Sequence, residues 1–262
     1  CYIIYHVPFK YDGDTIIRSF DIGKIDHSKI NHLSMVEVSI KSIRFCDPES
    51  EIILMTTPEF ASKVKDKRVK FIYPEVDPTK PMYYRTICYN TLMQSGIFKK
   101  EVSFIDSDIV LLKRFTGSID RESFDIGLTY RFAPDIMPIN GGAIICTRVN
   151  SLVKSFFSRY AGIYKILATD SVIKSIAGND LMRWLGDQLS LNALSKNIKS
   201  VDFRDSEDRI AYLPCTRFNH AIRSYEDIVL AKSKGCRAIH IKGKAKEEID
   251  LNQIEEFISK KV

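Results

Sequence analysis

The stretch of sequence that decides the fold is Phe104-Ile105-Asp106-Ser107-Asp108-Ile109-Val110. Its first residues are short and apolar, as in a buried strand, and they run directly into a pair of carboxylates at i, i+2 spacing. In open α/β sheets, ligands bind beyond the carboxyl ends of the strands. We therefore expect Asp106 and Asp108 to face a ligand at the edge of a sheet.

Strand and helix patterns alternate on both sides of this stretch. Strands are predicted at 1–7, 51–56, 69–73, 102–105, 124–130, 142–147, 198–203, 210–213 and 237–241. Helices are predicted at 32–45, 82–95, 150–166 and 251–260, with another beginning near 186, and a long irregular segment at 9–30. This rhythm predicts an α/β fold whose central sheet is mostly parallel, with helices on both faces. Because no linker interrupts the pattern, we expect 1–262 to form a single domain.

Composition and charge exclude several classes of protein. The chain has 262 residues, of which 45% are hydrophobic and 27% charged, which argues against disorder, collagen-like sequence and coiled coil. Apolar runs such as 51–55 are strand-sized, so we expect no membrane span. The net charge of +6 favours anionic small molecules or surfaces. Since no zinc-finger, RNA-binding or basic-helix motif accompanies this charge, we expect no nucleic-acid partner.

The cysteines and the first residue of the sequence are informative about the cellular compartment of the protein. The 6 cysteines are scattered without a Cys-x-x-Cys pair, which argues against a zinc site or a disulfide framework. No Asn-x-Ser/Thr sequon is present, so we expect a cytoplasmic protein or one on the cytosolic face of a membrane. Because the sequence begins at Cys1 rather than Met, it leaves open whether an N-terminal anchor was trimmed from a longer chain. The oligomeric state is not predicted from the sequence.

The spacing of Asp106 and Asp108 suits one hard divalent cation, Mn²⁺ or Mg²⁺, with coordination positions left for substrate phosphates. The alternative is an ordinary polar turn after a strand. Two phosphate chemistries use such a pair: phosphoryl transfer by haloacid-dehalogenase-like phosphatases, and sugar transfer from nucleotide sugars. In the phosphatases the pair opens the domain, whereas here about a hundred residues of α/β pattern precede it. The position therefore favours sugar transfer.

A second feature is His240-Ile-Lys-Gly243-Lys-Ala-Lys246, which follows a short strand-like run. An imidazole supplies a nitrogen ligand suited to Mn²⁺, glycine lets the backbone approach a phosphate, and lysine offers a point charge for phosphate oxygens. A structural histidine beside a solvated, lysine-rich loop is the alternative interpretation.

The order of these and other residues resembles the glycogenin-like and lipopolysaccharide-galactosyltransferase-like retaining glycosyltransferases, family 8 of the usual classification. The matching pieces are Arg85, Phe104–Leu112 with Asp106, Ser107 and Asp108, Asn140-Gly141-Gly142, Asp187-Gln188-Leu-Ser-Leu191-Asn192, Leu213-Pro214 with Phe218-Asn219, and His240, Gly243 and Lys246. The sequence departs from the family before residue 32 and at Glu247-Glu248, where the family often has Pro-Trp. The resemblance implies the GT-A fold, which is Rossmann-like.

The resemblance also implies a function and its residues. It implies a metal-dependent enzyme that transfers a hexose or related sugar from a UDP-sugar to a glycan, lipid-linked or protein acceptor, with retention of configuration, in polysaccharide biosynthesis. The implied metal ligands are Asp106, Asp108 and His240, for Mn²⁺ or Mg²⁺. The implied donor contacts are Arg85, Asp106, Ser107, Asp108, Asn140, Gly141, Gly142, Gly243 and Lys246. Asp187 and Gln188 are expected to face the transferred sugar and, with Lys246 on the diphosphate, to be the catalytic residues.

Two other functions are compatible with parts of this sequence. A sugar-nucleotide nucleotidyltransferase shares the sheet and the metal carboxylates, but its Gly-rich, Arg-containing loop after the first strand is missing from 5–10. A non-catalytic nucleotide-sugar-binding module would keep the fold and lose the metal residues, which are intact here. Gly-x-Gly-x-x-Gly, Walker A and Gly-x-Ser-x-Gly patterns are absent, which argues against dinucleotide, ATPase and α/β-hydrolase functions.

Overall fold

The computed structural model describes residues 1–8, 27–115, 124–131, 138–173, 175, 186–195, 204–205 and 209–260. The strand predicted at 198–203 and most of the irregular segment predicted at 9–30 lie outside the described residues.

Most of the predicted elements are present, with small shifts at their ends. The described strands are β1 (Tyr2–Tyr5), β2 (Ile52–Met55), β3 (Lys70–Ile72), β4 (Val102–Asp106), β5 (Ile109–Leu111), β6 (Ile126–Tyr130), β7 (Ile139–Cys146), β8 (Arg204–Asp205), β9 (Ile210–Pro214), β10 (His220–Ile222) and β11 (Ala238–Ile241). The described helices are α1 (His32–Cys46), α2 (Pro58–Ala61), α3 (Pro81–Gln94), α4 (Ser151–Thr169), α5 (Gly186–Leu194), α6 (Cys215–Phe218), α7 (Tyr225–Ser233), α8 (Ala245–Glu248) and α9 (Leu251–Ser259), besides a 3-10 turn at His27–Lys29.

The larger sheet has the strand order β3-β2-β1-β4-β7-β6-β9-β8. The pairs β1–β2, β2–β3, β1–β4 and β6–β9 are parallel, while β7 runs antiparallel to both β4 and β6. The expected mostly parallel sheet is thus confirmed. Since β7 alone reverses the direction between β4 and β6, the carboxyl ends of β1, β2, β3, β4, β6 and β9 share one side of the sheet, here called the carboxyl edge.

Both faces of this sheet are covered by helices. Along β1, Tyr2 and Ile4 pack into a core with α1, whereas Ile3 and Tyr5 pack into the opposite core with α3 and α4. Every residue of β1 is buried, so the strand is continuously apolar rather than alternating, which is typical of a parallel strand covered on both sides. The predicted helices on both faces are confirmed.

A second, smaller sheet has the order β10-β11-β5. Strand β5 begins directly after Asp108 and pairs antiparallel with β11, with His240 opposite Ile109. A third core cluster fixes this sheet. In this cluster, Val110 and Ile239 pack with Met35 of α1 and Ile254 of α9. The last part of the chain is therefore held against the Asp-x-Asp turn.

One local prediction is wrong. The strand predicted at 142–147 begins earlier than expected, since Asn140 and Gly141 also lie inside β7. The pairing of β6 with β7 shifts between Leu128 and Thr129, whose partners are Ile144 and Asn140, so β7 bulges between these two pairs. Glycine suits this bulge because side chains of other elements approach it closely.

Helix α7 was not predicted from the sequence, although its start carries a clear signal. Ser224 and Asp227 form a reciprocal capping box, the spacing of which is visible in the sequence. None of the described helices combines the length and the apolarity that a bilayer crossing requires.

Candidate active site

The Asp-x-Asp turn is held by its neighbours at the carboxyl edge. Asp106 is the last residue of β4, and Asp108 is followed at once by β5. The Asp108 carbonyl accepts a 3.0 Å hydrogen bond from the Ile241 amide at the end of β11. Ser107 Oγ lies 3.3 Å from His6 Nδ1, beyond the end of β1. The backbone of the turn is thus tied to both sheets.

Asp106, Asp108 and His240 come together beside this turn and are here called the metal cluster. His240 Nε2 lies 3.0 Å from Asp108 Oδ1 and 3.8 Å from Asp106 Oδ2. One ligand atom from each residue lies within 4.8 Å of the other two. Asp108 and His240 are buried, while Asp106 is partly exposed. The side chains that the sequence placed at one metal therefore converge.

A chain of hydrogen bonds fixes the orientation of the imidazole. The Gly142 amide donates to Asn140 Oδ1 at 2.9 Å, so that atom is the amide oxygen. Asn219 Nδ2 donates to the same oxygen at 3.0 Å, which turns Asn219 Oδ1 toward His240 Nδ1 at 2.7 Å. Nδ1 must then carry the proton, and Nε2 presents a lone pair to the two carboxylates.

This arrangement fits a cation. Burial lowers the pKa of His240 although Asp108 opposes the effect, so the imidazole is neutral. A neutral Nε2 lone pair and carboxylate oxygens then face one another, and within the described part of the chain Asp108 Oδ1 accepts no hydrogen bond. Facing acceptors repel unless a positive charge lies between them. One imidazole nitrogen and two carboxylates suit Mn²⁺, and less closely Mg²⁺.

Lys246 supplies a second positive charge next to the metal cluster. Its ammonium forms an ion pair with Asp108 Oδ2. Gly243 has a φ of 58°, in the left-handed region, and this conformation turns the chain from β11 into α8, which carries Lys246. Burial disfavours the charged form of Asp108, and the Lys246 ammonium opposes this effect by favouring the carboxylate.

Arg85, Asp106 and Asp187 form a second group, here called the arginine bridge. The Arg85 guanidinium donates to Asp106 Oδ1 through one terminal nitrogen and to Asp187 Oδ2 through the other. Burial lowers the pKa of Arg85, but the two carboxylates outweigh it and raise the pKa well above the ordinary value. Burial raises the pKa of Asp187, and Arg85 opposes that rise. The bridge joins α3, β4 and α5 and orients the metal-cluster carboxylate of Asp106.

The glycines of β7 allow both groups to pack against the strand. A Cβ atom on Gly141 would lie 2.8 Å from Asp187 Oδ2 and 3.2 Å from an Arg85 terminal nitrogen. A Cβ atom on Gly142 would lie 2.8 Å from His240 Cε1. Side chains larger than hydrogen at these two positions would displace the ion pairs and the imidazole.

Gln188 lies beside the arginine bridge rather than at the metal cluster. Its Oε1 accepts a 3.0 Å hydrogen bond from Arg131, which directly follows β6 at the carboxyl edge. A role for Arg131 was not predicted from the sequence. The signal was available, because a polar residue directly after a predicted strand is the same pattern that identified Asp106.

His6 was also missed, and it follows β1 in the same way. Its ring packs against Phe60, with centroids 4.4 Å apart, and against His32, with centroids 5.4 Å apart. Burial is the main cause that lowers the pKa of His6 to about 3, so the ring is neutral. A neutral aromatic group thus flanks the Asp-x-Asp turn on the side of Ser107.

The structure places all the predicted site residues at or beside the carboxyl edge. They are Arg85, Asp106, Ser107, Asp108, Asn140, Gly141, Gly142, Asp187, Gln188, His240, Gly243 and Lys246. The side-chain oxygen of Asn140 accepts hydrogen bonds from the Gly142 amide and from Asn219 Nδ2. The side chain of Ser107 is turned toward His6.

Comparison with known proteins agrees with this architecture. No protein-family model and no curated protein sequence matches the chain. Its fold matches that of the GT-A glycosyltransferases, as the resemblance implied. The bifunctional glycosyltransferase WbbM is 14% identical over 98% of this chain, with a TM-score of 0.55, and the glycosyltransferase GlyE of Streptococcus pneumoniae is 11% identical over 98%, with a TM-score of 0.51.

The chain spans 49% of the WbbM chain and 63% of the GlyE chain. The galactosyltransferase LgtC, solved with donor and acceptor sugar analogs, is 12% identical over 100% of this chain and 97% of its own, with a TM-score of 0.48. At these identities the likeness to WbbM and GlyE shows the fold alone.

Proposed function

We propose that the chain is a metal-dependent glycosyltransferase that moves a hexose or related sugar from a UDP-sugar to a glycan, lipid-linked or protein acceptor. The observation that carries the proposal is the neutral imidazole of His240, whose Nε2 lone pair faces Asp106 and Asp108 at the carboxyl edge of a GT-A sheet. That site lies where a diphosphate-bound cation needs its ligands.

The residues in and around the metal cluster would have different roles in the reaction. Asp106, Asp108 and His240 would hold Mn²⁺ or Mg²⁺, which when bound neutralises the charge that develops on the leaving diphosphate. Lys246 would exchange its ion pair with Asp108 for one with the diphosphate oxygens. One such well-placed donor contributes on the order of 10² to 10³ in rate. Arg85 would act through Asp106, which it holds in place.

Asp187 and Gln188 would contact the transferred sugar. Both carboxylate oxygens of Asp187 are buried and one is paired with Arg85, so we expect this residue to orient the sugar rather than take a proton. Arg131 would fix the amide of Gln188 for the same purpose. We propose retention of configuration at the anomeric carbon, since the residues assigned above cluster around the expected position of the leaving diphosphate.

Proton NMR of the first product tests the stereochemistry through its anomeric coupling. An α-linked product from a UDP-α-sugar is expected. A β-linked product would require a catalytic base, for which Asp135 and Asp180 are the first candidates; both lie outside the described residues.

The proposed activity is tested by offering a panel of UDP-sugars with Mn²⁺ and measuring UDP release. We expect one donor to be hydrolysed faster than the others, and the activity to vanish in Asp108→Asn. Glu256→Gln, an exposed acidic position on α9, is the matched control and should keep full activity. Metal-dependent UDP binding without turnover would indicate a binding module. Pyrophosphate release from UTP and a sugar phosphate would indicate a nucleotidyltransferase.

A further inference from the structure

A buried threonine is connected to the His240 imidazole through one other side chain. Thr129, in β6, is fully buried, so we expect its side chain to contact no substrate. Its Oγ1 lies 3.0 Å from Nδ2 of Asn219, whose Oδ1 lies 2.7 Å from His240 Nδ1. The hydroxyl of Thr129 is thus placed to act on the metal cluster without touching a ligand.

Two backbone groups set the direction of these hydrogen bonds. Thr129 Oγ1 lies 2.7 Å from the Asn140 carbonyl oxygen, which can only accept, so the hydroxyl donates there and turns a lone pair toward Asn219. The Gly142 amide donates to Asn140 Oδ1, which identifies that side-chain atom as an oxygen. Both partners of Asn219 are therefore acceptors, so its NH₂ group must face them. The Asn219 oxygen is then left for His240 Nδ1.

Both backbone groups belong to the bulged part of β7. Leu128 pairs with Ile144, so an unbroken ladder would place Thr129 opposite Ala143, but its partner is Asn140. Asn140 lies three residues from Ala143, or roughly 10 Å along an extended strand. The Thr129 hydroxyl lies within 3.3 Å of the Ala143 carbonyl oxygen as well, so it spans both ends of the bulge. The bulge is therefore what brings the Asn140 carbonyl to Thr129.

We propose that Thr129 is a positioning residue that fixes the tautomer of His240, with the β7 bulge as its backbone anchor. Without the hydroxyl, one N–H of Asn219 loses its acceptor, and the amide can rotate to present its NH₂ group to the imidazole. Nδ1 must then accept, so the ring proton moves from Nδ1 to Nε2. The Nε2 lone pair, which faces the carboxylates of the metal cluster, is lost in that tautomer.

The inference rests on the proposed function, which makes the metal cluster a Mn²⁺ site, but the tautomer can be measured without metal. Proton–nitrogen correlation NMR of the metal-free chain distinguishes protonated from unprotonated ring nitrogens, and His240→Gln identifies the His240 signals. We expect the wild-type chain to show the Nδ1–H tautomer alone. Thr129→Ala should populate both tautomers, whereas Thr129→Ser, which differs from it by the hydroxyl, should keep the wild-type pattern.

Two further variants support this comparison. Thr56→Ala is the matched control, because Thr56 is also buried and its hydroxyl has no hydrogen-bond partner in the described part of the chain. It should leave the His240 tautomer unchanged. Circular dichroism checks that each variant folds. If Thr129→Ala does not fold, Thr129→Val, which lacks the hydroxyl but fills the same space, replaces it.

Mn²⁺ titration by calorimetry measures the consequence for the metal. Thr129→Ala should bind Mn²⁺ about tenfold more weakly than the wild type, and Thr129→Ser should bind it equally well. A His240 tautomer that is the same in Thr129→Ala and the wild type would overturn the inference and leave the proposed function standing. A wild-type chain without Mn²⁺ affinity would refute the proposed function, whereas a tautomer that depends on Thr129 would still support the positioning role.

Discussion

The metal cluster and the arginine bridge lie side by side at the carboxyl edge and share Asp106, yet their charges are arranged differently. In the bridge, the Arg85 guanidinium already pairs with both carboxylates, and Arg85 and Asp187 are 4% and 1% exposed. In the metal cluster, the Nε2 lone pair of His240 faces carboxylate oxygens without a proton between them. The bridge already holds a cation, Arg85, between its two carboxylates, whereas the cluster needs one.

This difference separates groups that hold the site together from groups that bind a ligand. Removing one member of a buried, complete ion pair leaves an uncompensated charge and costs folding free energy. Removing one ligand from an incomplete site costs little in folding but weakens the bound cation. The following predictions test whether the two groups separate in this way, from the largest expected effect to the smallest.

Asp108→Asn should lower transfer by about 10³-fold or more, because the cation supplies several kcal/mol of transition-state stabilisation through this ligand. The fold should persist, since asparagine has nearly the same shape. UDP release and circular dichroism of the variant measure the two effects. A variant that folds and keeps more than a tenth of the activity would show that Asp108 is not a ligand of the catalytic metal.

Arg85→Ala should destabilise the fold by about 3–5 kcal/mol, because Asp187 is left charged and buried without its partner. Urea unfolding measures this change. Lys63→Ala, which breaks the exposed pair with Glu59, is the control and should leave the unfolding free energy almost unchanged. Equally small changes in the unfolding free energy of the two variants would show that the arginine bridge has no structural role.

Lys246→Ala should lower turnover by about 10²- to 10³-fold and leave Mn²⁺ affinity near normal, because an ammonium offers charge but no lone pair to a metal. Parallel Mn²⁺ titrations and UDP-release assays separate these properties. Lys244→Ala, from the same loop, should match the wild type in both. Full activity of Lys246→Ala would make the His-x-x-Gly-x-x-Lys pattern accidental.

Asn219→Ala should weaken Mn²⁺ binding by about 10- to 100-fold, since the imidazole of His240 loses the acceptor that fixes its tautomer. Asn252→Ala, exposed at the start of α9, is the control. Unchanged Mn²⁺ affinity in Asn219→Ala would show that His240 needs no second partner to ligate the metal.

Sequence reasoning predicted the core of the fold because its strands are short, continuous apolar runs between clear breaks. It placed Asp106 and Asp108 by their position after such a run, and the other site residues through the ordered resemblance. It missed β5 and β10, which are three-residue strands whose pairing is set by distant parts of the chain. Arg131 directly follows a predicted strand, but its role depends on its hydrogen bond to Gln188, which lies 57 residues further along the chain.

The central claim is that the carboxyl edge binds its nucleotide through a cation. Calorimetry of UDP binding in the presence of Mn²⁺, and again with excess EDTA, tests it most directly. We predict tight binding with Mn²⁺ and a loss of about 10²-fold or more with EDTA, because the carboxylates of the metal cluster repel a bare diphosphate. Equal UDP affinity in the two conditions would contradict the account.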